Sequence, residues 1–153
     1  MDTLKRTKEW FKLAVPEPEL KNFNNQLGCH FEEIAEMLET LSGETHATDD
    51  LIREVQSAIS ALAIHLKDNS EKRLVFIEFE DEEDFLDALC DQTVTATGVA
   101  HMMGHDFIGA MNEVNRSNFS KFVAGKPVFN TNSKIIKCND YIPPNLKPFL
   151  HVS

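Results

Sequence analysis

At 153 residues, with 42% apolar content and a formal net charge of −10, the chain can bury one core and is too apolar for wholesale disorder. The negative charge excludes general affinity for nucleic-acid backbones, which rests on phosphate neutralisation. No apolar run reaches the ~20 residues of a membrane span, the N-terminus lacks the apolar core of a secretory leader, and Cys29, Cys90 and Cys138 form no Cys-x-x-Cys pair.

Read in chain order, Leu4 to Leu13 carries Trp10, Phe11 and Leu13 among Lys and Arg, and Pro16 and Pro18 stop it. Phe31, Ile34, Ala35, Leu38 and Leu41 recur at helical spacing, so an amphipathic helix is predicted over Cys29 to Leu41, ending near Gly43. Thr48 or Asp49 can cap the next helix, whose stripe of Ile52, Val55, Ile59, Leu62, Ala63 and Leu66 runs through Lys67. Leu74 to Phe79 alternates weakly and reads as a short strand or an extended connector. Asp81 or Glu82 opens a helix with Phe85, Leu86, Leu89, Cys90, Val94, Val99 and Met103, closed by Gly104. Asp106 caps a final helix through Asn118. Gly125-Lys126-Pro127 and Asn130-Thr131-Asn132 are turn chemistry around a small hairpin, and Pro143-Pro144 belongs to an extended tail. The fold class is therefore all-α, a bundle of about five helices with a short extended C-terminal tail.

Charge is divided unevenly along these elements. From Glu78 to Asp91, eight of fourteen residues are acidic; from Arg116 to Ser153 there are six Lys or Arg and one acid, Asp140. Glu32, Glu33, Glu36 and Glu39 are neighbours on one helical surface, where each like-charge pair costs a few tenths of a kcal/mol. A hard divalent cation can offset that repulsion; a solvated acidic face is the commoner reason for such a pattern. Asp84, Asp87 and Asp91 share a second stripe, with Asp87 and Asp91 set between apolar residues. A carboxylate on a core-facing helix needs a partner or a metal. His101-Met102-Met103-Gly104-His105-Asp106 offers a competing pattern, that of an HD-type phosphohydrolase or a zinc helix. Gly104 breaks the helix between the two histidines, which reads better as a loop beside a capping Asp. Met37, Met102, Met103 and Met111 read as packing residues.

The segment Glu113-Val114-Asn115-Arg116-Ser117-Asn118-Phe119-Ser120-Lys121 brings a family into view. It resembles the Glu-Val-His-Arg-x-Asn-x-Ser-Lys signature of the MazG-like and phosphoribosyl-ATP pyrophosphohydrolase-like all-α nucleotide pyrophosphohydrolases. The tail from Gly125-Lys126-Pro127 to Lys134, Lys137, Tyr141 and Pro143-Pro144 is similar to the family's Lys/Tyr/Pro-Pro ending, and Glu32-Glu33-Ile34-Ala35-Glu36 matches its Glu-Glu-x-x-Glu motif. The likeness spans about Phe31 to Leu146, and the order and spacing of the motifs are more specific than any one of them.

The resemblance implies hydrolysis of a nucleoside triphosphate at the α-phosphorus, giving a monophosphate and pyrophosphate, with Mg2+ or Mn2+. Its metal ligands fall on Glu33, Glu36 and Asp91, with Glu32 or Glu33 as base. The family's other metal-binding Glu falls on Ala88, a departure for which Asp87 is the natural substitute and Asp84 the alternative. Phosphate contacts fall on Arg116, Asn118 and Lys121, then on Lys134, Lys137 and Tyr141; Asn115 replaces a His and carries no catalytic role. The chain then divides into a connector and N-terminal helix (1–27), catalytic helices (28–118) and a basic nucleotide-contacting tail (119–153) of one domain. A homodimer or homotetramer in the cytoplasm of a bacterium or a phage-infected host follows, with no nucleic-acid or membrane partner. A non-catalytic nucleotide-binding or regulatory module that kept the fold after losing Glu at position 88 is the alternative from another class.

Overall fold

The structure is a computed structural model, and it describes residues 2–68, 74–129 and 135–150. Among them run five α-helices, α1 (Thr3–Ala14), α2 (Leu20–Glu39), α3 (His46–Lys67), α4 (Glu82–Met102) and α5 (Phe107–Phe119), with 3-10 turns at Phe79–Asp81 and Lys147–Phe149. The all-α class follows. The chain forms two compact units, one of residues 17–79 and one of residues 1–16 with 80–153.

The first unit is an α2/α3 hairpin. A capping box between Glu19 and Asn22 starts α2 at Leu20, well before the expected Cys29. Gly28 is buried inside the helix at the crossing with α3. A Cβ there would meet Lys67 Cγ at 2.7 Å and the Ala63 carbonyl at 2.9 Å, so the missing side chain lets the two helices close. Ala35, Ala63 and Leu66 are buried in the same hairpin. The hydroxyl of Thr45 accepts from the Thr48 amide and caps α3, slightly earlier than Thr48 or Asp49. Leu74 to Phe79 forms no strand. Fully buried Asn24 takes the place of a strand partner, donating Nδ2 to the Val75 carbonyl (2.8 Å) and accepting from the Val75 amide at Oδ1 (2.7 Å).

In the second unit, α1 lies along α5 through a polar seam. Thr3 Oγ1 donates to Asn112 Oδ1 (3.1 Å), Thr7 Oγ1 to Asn115 Oδ1 (3.0 Å), and Asn115 Nδ2 to the Thr3 carbonyl (3.2 Å). Buried Asn115 thus has a structural task. Trp10 Nε1 donates to the Asn118 carbonyl (3.0 Å), its ring stacks on Phe122, and the Arg6 guanidinium lies 5.1 Å from the Phe119 ring centre. Asp106 caps α5 by accepting from the Gly109 amide (2.9 Å), as its sequence position suggests. The Asp106 amide donates to the Phe149 carbonyl, and Gly109 is small enough to admit the Phe149 ring, whose carbons would stand 2.6 and 2.7 Å from an added Cβ.

Helix α4 departs most from expectation. The apolar stripe of Leu86, Leu89, Val94, Val99 and Met103 leads one to expect a core-facing helix, but α4 buries no residue. Met37, Met102 and Met103, read as packing residues, are likewise exposed, Met102 at 85%. After α5, Ala124 (φ 51°) and Gly125 (φ 76°) make the tight turn between paired Val123 and Lys126, and Phe129 pairs with Ile135. These are isolated bridges, and no strand forms among the described residues where a small hairpin was expected; Asn130-Thr131-Asn132 and Lys134 lie outside the described residues.

Candidate functional site

The carboxylates of α2 divide into two kinds. Glu32 is half-buried, and its Oε1 lies 2.5 Å from Lys67 Nζ of α3; Glu39 Oε1 accepts from Gln56 Nε2 at 2.7 Å. Glu33 and Glu36, three residues apart, both face solvent. Part of the repulsion along the Glu32–Glu39 face is therefore relieved by α3, through one ammonium and one amide. That division is invisible in a sequence read one helix at a time.

On α4, Asp84, Asp87 and Asp91 are all exposed, as are their apolar neighbours Leu86 and Leu89. The expectation that Asp91 sits where solvation is poor is not met, because Asp91 and its apolar neighbours are exposed among the described residues. The i, i+4 spacing keeps Asp87 and Asp91 on one face, with Asp84 a turn earlier. Glu32, Glu33 and Glu36 belong to the hairpin unit, and Asp87 and Asp91 to the other.

Among the described residues, no three His, Cys, Asp or Glu side chains converge as a metal site. The donor chemistry nonetheless fits a hard divalent cation. Each set consists of carboxylate oxygens alone, the ligand type that Mg2+ and Mn2+ prefer. His101 is exposed at the end of α4, and Asp106 spends its carboxylate on the cap of α5.

The C-terminal end of α5 and the tail build a basic, aromatic surface. Lys121 Nζ donates to Asn118 Oδ1 (2.7 Å) and stands 6.0 Å from the Trp10 ring centre and 5.9 Å from that of Tyr141. Lys137 Nζ approaches the same Tyr141 ring at 5.0 Å. Two ammonium groups thus gather at one phenol ring, held by cation–π attraction. Arg116 is placed differently. Its Nε and Nη2 both donate to Glu113 at 2.7 Å, and Nη2 also reaches the Pro143 carbonyl at 3.2 Å.

Glu113 completes this arrangement, and sequence reasoning passed over it. Its Oε1 accepts from the Asn145 amide at 2.9 Å as well as from Arg116. The Arg116 hydrogen bonds, helped by the Asn145 amide, hold the Glu113 carboxyl at about 2, below its usual 4.5. The same hydrogen bonds, donated by Arg116 to Glu113, raise the Arg116 guanidinium above its ordinary value. Ser120 Oγ accepts from the Ile142 amide (3.0 Å), and Cys138 Sγ donates to the Ser120 carbonyl (3.3 Å), so residues 138–145 are pinned along the last turns of α5. The i, i+3 Glu-Arg pair is present in the quoted motif and is the signal that could have identified Glu113. Trp10 had no such signal, because its place beside Lys121 depends on α1 docking against α5.

No family model, curated protein or solved structure matches this chain.

Proposed function

We propose that the chain is a metal-dependent nucleoside triphosphate pyrophosphohydrolase, cleaving a (d)NTP to a (d)NMP and pyrophosphate with Mg2+ or Mn2+. The observation that carries this reading is chemical complementarity within one chain. Solvent-facing carboxylates on α2 and α4 suit a divalent cation, and the Lys121–Tyr141–Lys137 cluster suits phosphoryl oxygens. The likeness of the motifs, in order, to the all-α pyrophosphohydrolases points the same way.

By resemblance, the metal ligands are assigned to Glu33 and Glu36 on α2 and to Asp87 and Asp91 on α4, each pair on its own helix. A divalent ion held by these carboxylates would supply neutralisation of triphosphate charge and a water usable as a nucleophile near neutral pH. Glu32 or Glu33 is the base named by resemblance, and Glu32 also pairs with Lys67. Lys121 and Arg116 then face developing charge on the phosphates, Asn118 fixes the Lys121 ammonium, and Lys137 with Tyr141 extends the cationic surface. Lys134 joins this set by sequence alone.

The reading includes a homo-oligomer, dimer or tetramer, supported by α4. Leu86, Val94, Val99 and Met102 are each more than half exposed on a helix that buries nothing, so one copy leaves apolar side chains around α4 in solvent. A second copy of the chain, covering α4, would desolvate it.

A panel of eight NTPs and dNTPs with Mg2+, run beside Glu36→Gln and Asp91→Asn, tests the assignment. Turnover of at least one nucleotide, strongly lowered in both variants with helical circular dichroism unchanged, is expected. Binding without turnover across the panel would favour the non-catalytic module instead.

A further inference from the structure

Glu113 belongs to none of the residue sets assigned so far, yet it makes the densest set of bonds on the basic side of the protein. One carboxylate engages a guanidinium edge and a tail amide together: Arg116 Nε at Oε2, and Arg116 Nη2 and the Asn145 amide at Oε1. Glu113 is largely shielded, its side chain 18% exposed against 41% for Arg116. Two consequences follow from the geometry.

The first concerns Arg116. A guanidinium presents its five N–H donors in a rigid planar fork. Glu113 and the Pro143 carbonyl use the Nε–Nη2 edge, and among the described residues Nη1 makes no hydrogen bond. The fork is thereby fixed in rotation, with its Nη1 edge left for an outside acceptor.

The second concerns the tail. Asn145 and Pro143 are held by the Glu113–Arg116 pair, and Ile142 is held by Ser120. Tyr141 immediately precedes these anchors in the chain, and Lys137 and Lys121 both stand against its ring. Remove the carboxylate and Arg116 loses its fixed orientation, while the tail loses the anchor at Asn145.

We infer that Glu113 is a positioning residue for phosphate recognition. It aims the Nη1 edge of Arg116 outward and at the same time clamps the tail so that Tyr141 and Lys137 stand beside Lys121. The ligand chemistry is a polyphosphate chain, whose several anionic oxygens can span a guanidinium edge and an ammonium pair. The inference rests on the proposed phosphate-binding role of this surface and extends it to a residue that itself touches no ligand.

The test uses inorganic tripolyphosphate as probe, with the affinity of the intact protein read by calorimetry and the emission of its single tryptophan, Trp10, recorded in parallel. The Glu113→Gln variant removes the charge and replaces one acceptor by a donor. We expect about tenfold weaker tripolyphosphate binding, a similar rise in KM for whichever nucleotide is turned over, kcat within about twofold of wild type, and a shifted Trp10 emission as the tail loosens; a charge-assisted bond of this kind supports a change of that order. Arg116→Lys keeps the charge but cannot make the fork, and it should reproduce the loss even if Glu113→Gln folds poorly. Unchanged tripolyphosphate affinity in folded variants, with Trp10 emission altered, would overturn the inference and leave Glu113 a packing strap. A fall in kcat at constant KM would overturn it in favour of a part in the chemistry. Wild-type protein that binds no tripolyphosphate would instead bring down the underlying phosphate reading, and this inference with it.

Discussion

The side-chain amide of Asn24 engages both backbone groups of Val75, accepting from its amide and donating to its carbonyl, at a site with no solvent access to Asn24. One side chain of α2 thus substitutes for the neighbouring strand that an extended connector would otherwise need. Replacing it by Leu, similar in volume, would leave a donor and an acceptor of Val75 unpaired. We expect Asn24→Leu to destabilise the protein by about 1–3 kcal/mol, the cost of a buried unsatisfied polar group. Chemical denaturation with an unchanged slope measures it. A loss below about 0.5 kcal/mol, the scale of an ordinary surface change, would mean the connector is not held by this pair.

The Glu113 strap has a defined response to acid. Its carboxyl is depressed from 4.5 to about 2 by Arg116 and the Asn145 amide. A depressed carboxyl stabilises the docked tail fully above the unfolded value, and that contribution fades as pH falls from 4.5 towards 2. The Asn145 amide chemical shift, followed by NMR, should hold its hydrogen-bonded value through 4.5 and move with a midpoint near 2. In Glu113→Gln the transition should be absent. A wild-type midpoint at 4.5 would show that the carboxylate is not bonded in solution.

These two bonds mark where sequence and structure part company. Helix existence was legible: the stripes of α2 and α3, the Asp106 cap and the Gly104 stop all follow from spacing and local chemistry. The start of α2 was not, because the apolar spacing begins only at Phe31 while the helix is opened by the Glu19–Asn22 capping box and carries Gly28 against α3. The existence of α4 was legible too, but apolar residues along a helix do not say whether they are covered, and among the described residues α4 buries none of them. At the candidate site the residue types were legible, while their commitments were not. Glu32 is tied to Lys67 across thirty-five residues of sequence, and Lys121 meets Trp10 only because α1 packs on α5.

The exposed face of α4 sets a third expectation. Leu86 is 62% and Val94 67% exposed, and neither makes a buried contact whose loss would unfold the chain. Val94→Glu and Leu86→Lys should therefore lower the oligomeric state in sedimentation or light scattering while helicity at high dilution stays unchanged. Wild-type protein that runs as a monomer at all concentrations would remove the proposed second copy.

The departure at Ala88 gives a fourth. Asp87 and Asp91 share a helical face at i, i+4, with Asp84 a turn earlier. Asp87→Asn should behave like Asp91→Asn and raise the Mg2+ concentration needed for half-maximal turnover. A silent Asp87→Asn beside a damaging Asp84→Asn would move the ligand one turn towards the N-terminus.

The most direct measurement is the identity of the phosphorus-containing products. Purified protein is incubated with a deoxynucleoside triphosphate and Mg2+, with and without prior chelation by EDTA, and the mixture is followed by 31P NMR. We predict a deoxynucleoside monophosphate and pyrophosphate in equal amounts, with no reaction after chelation. Orthophosphate released together with a nucleoside diphosphate, or turnover undiminished by EDTA, would contradict metal-dependent cleavage at the α-phosphorus.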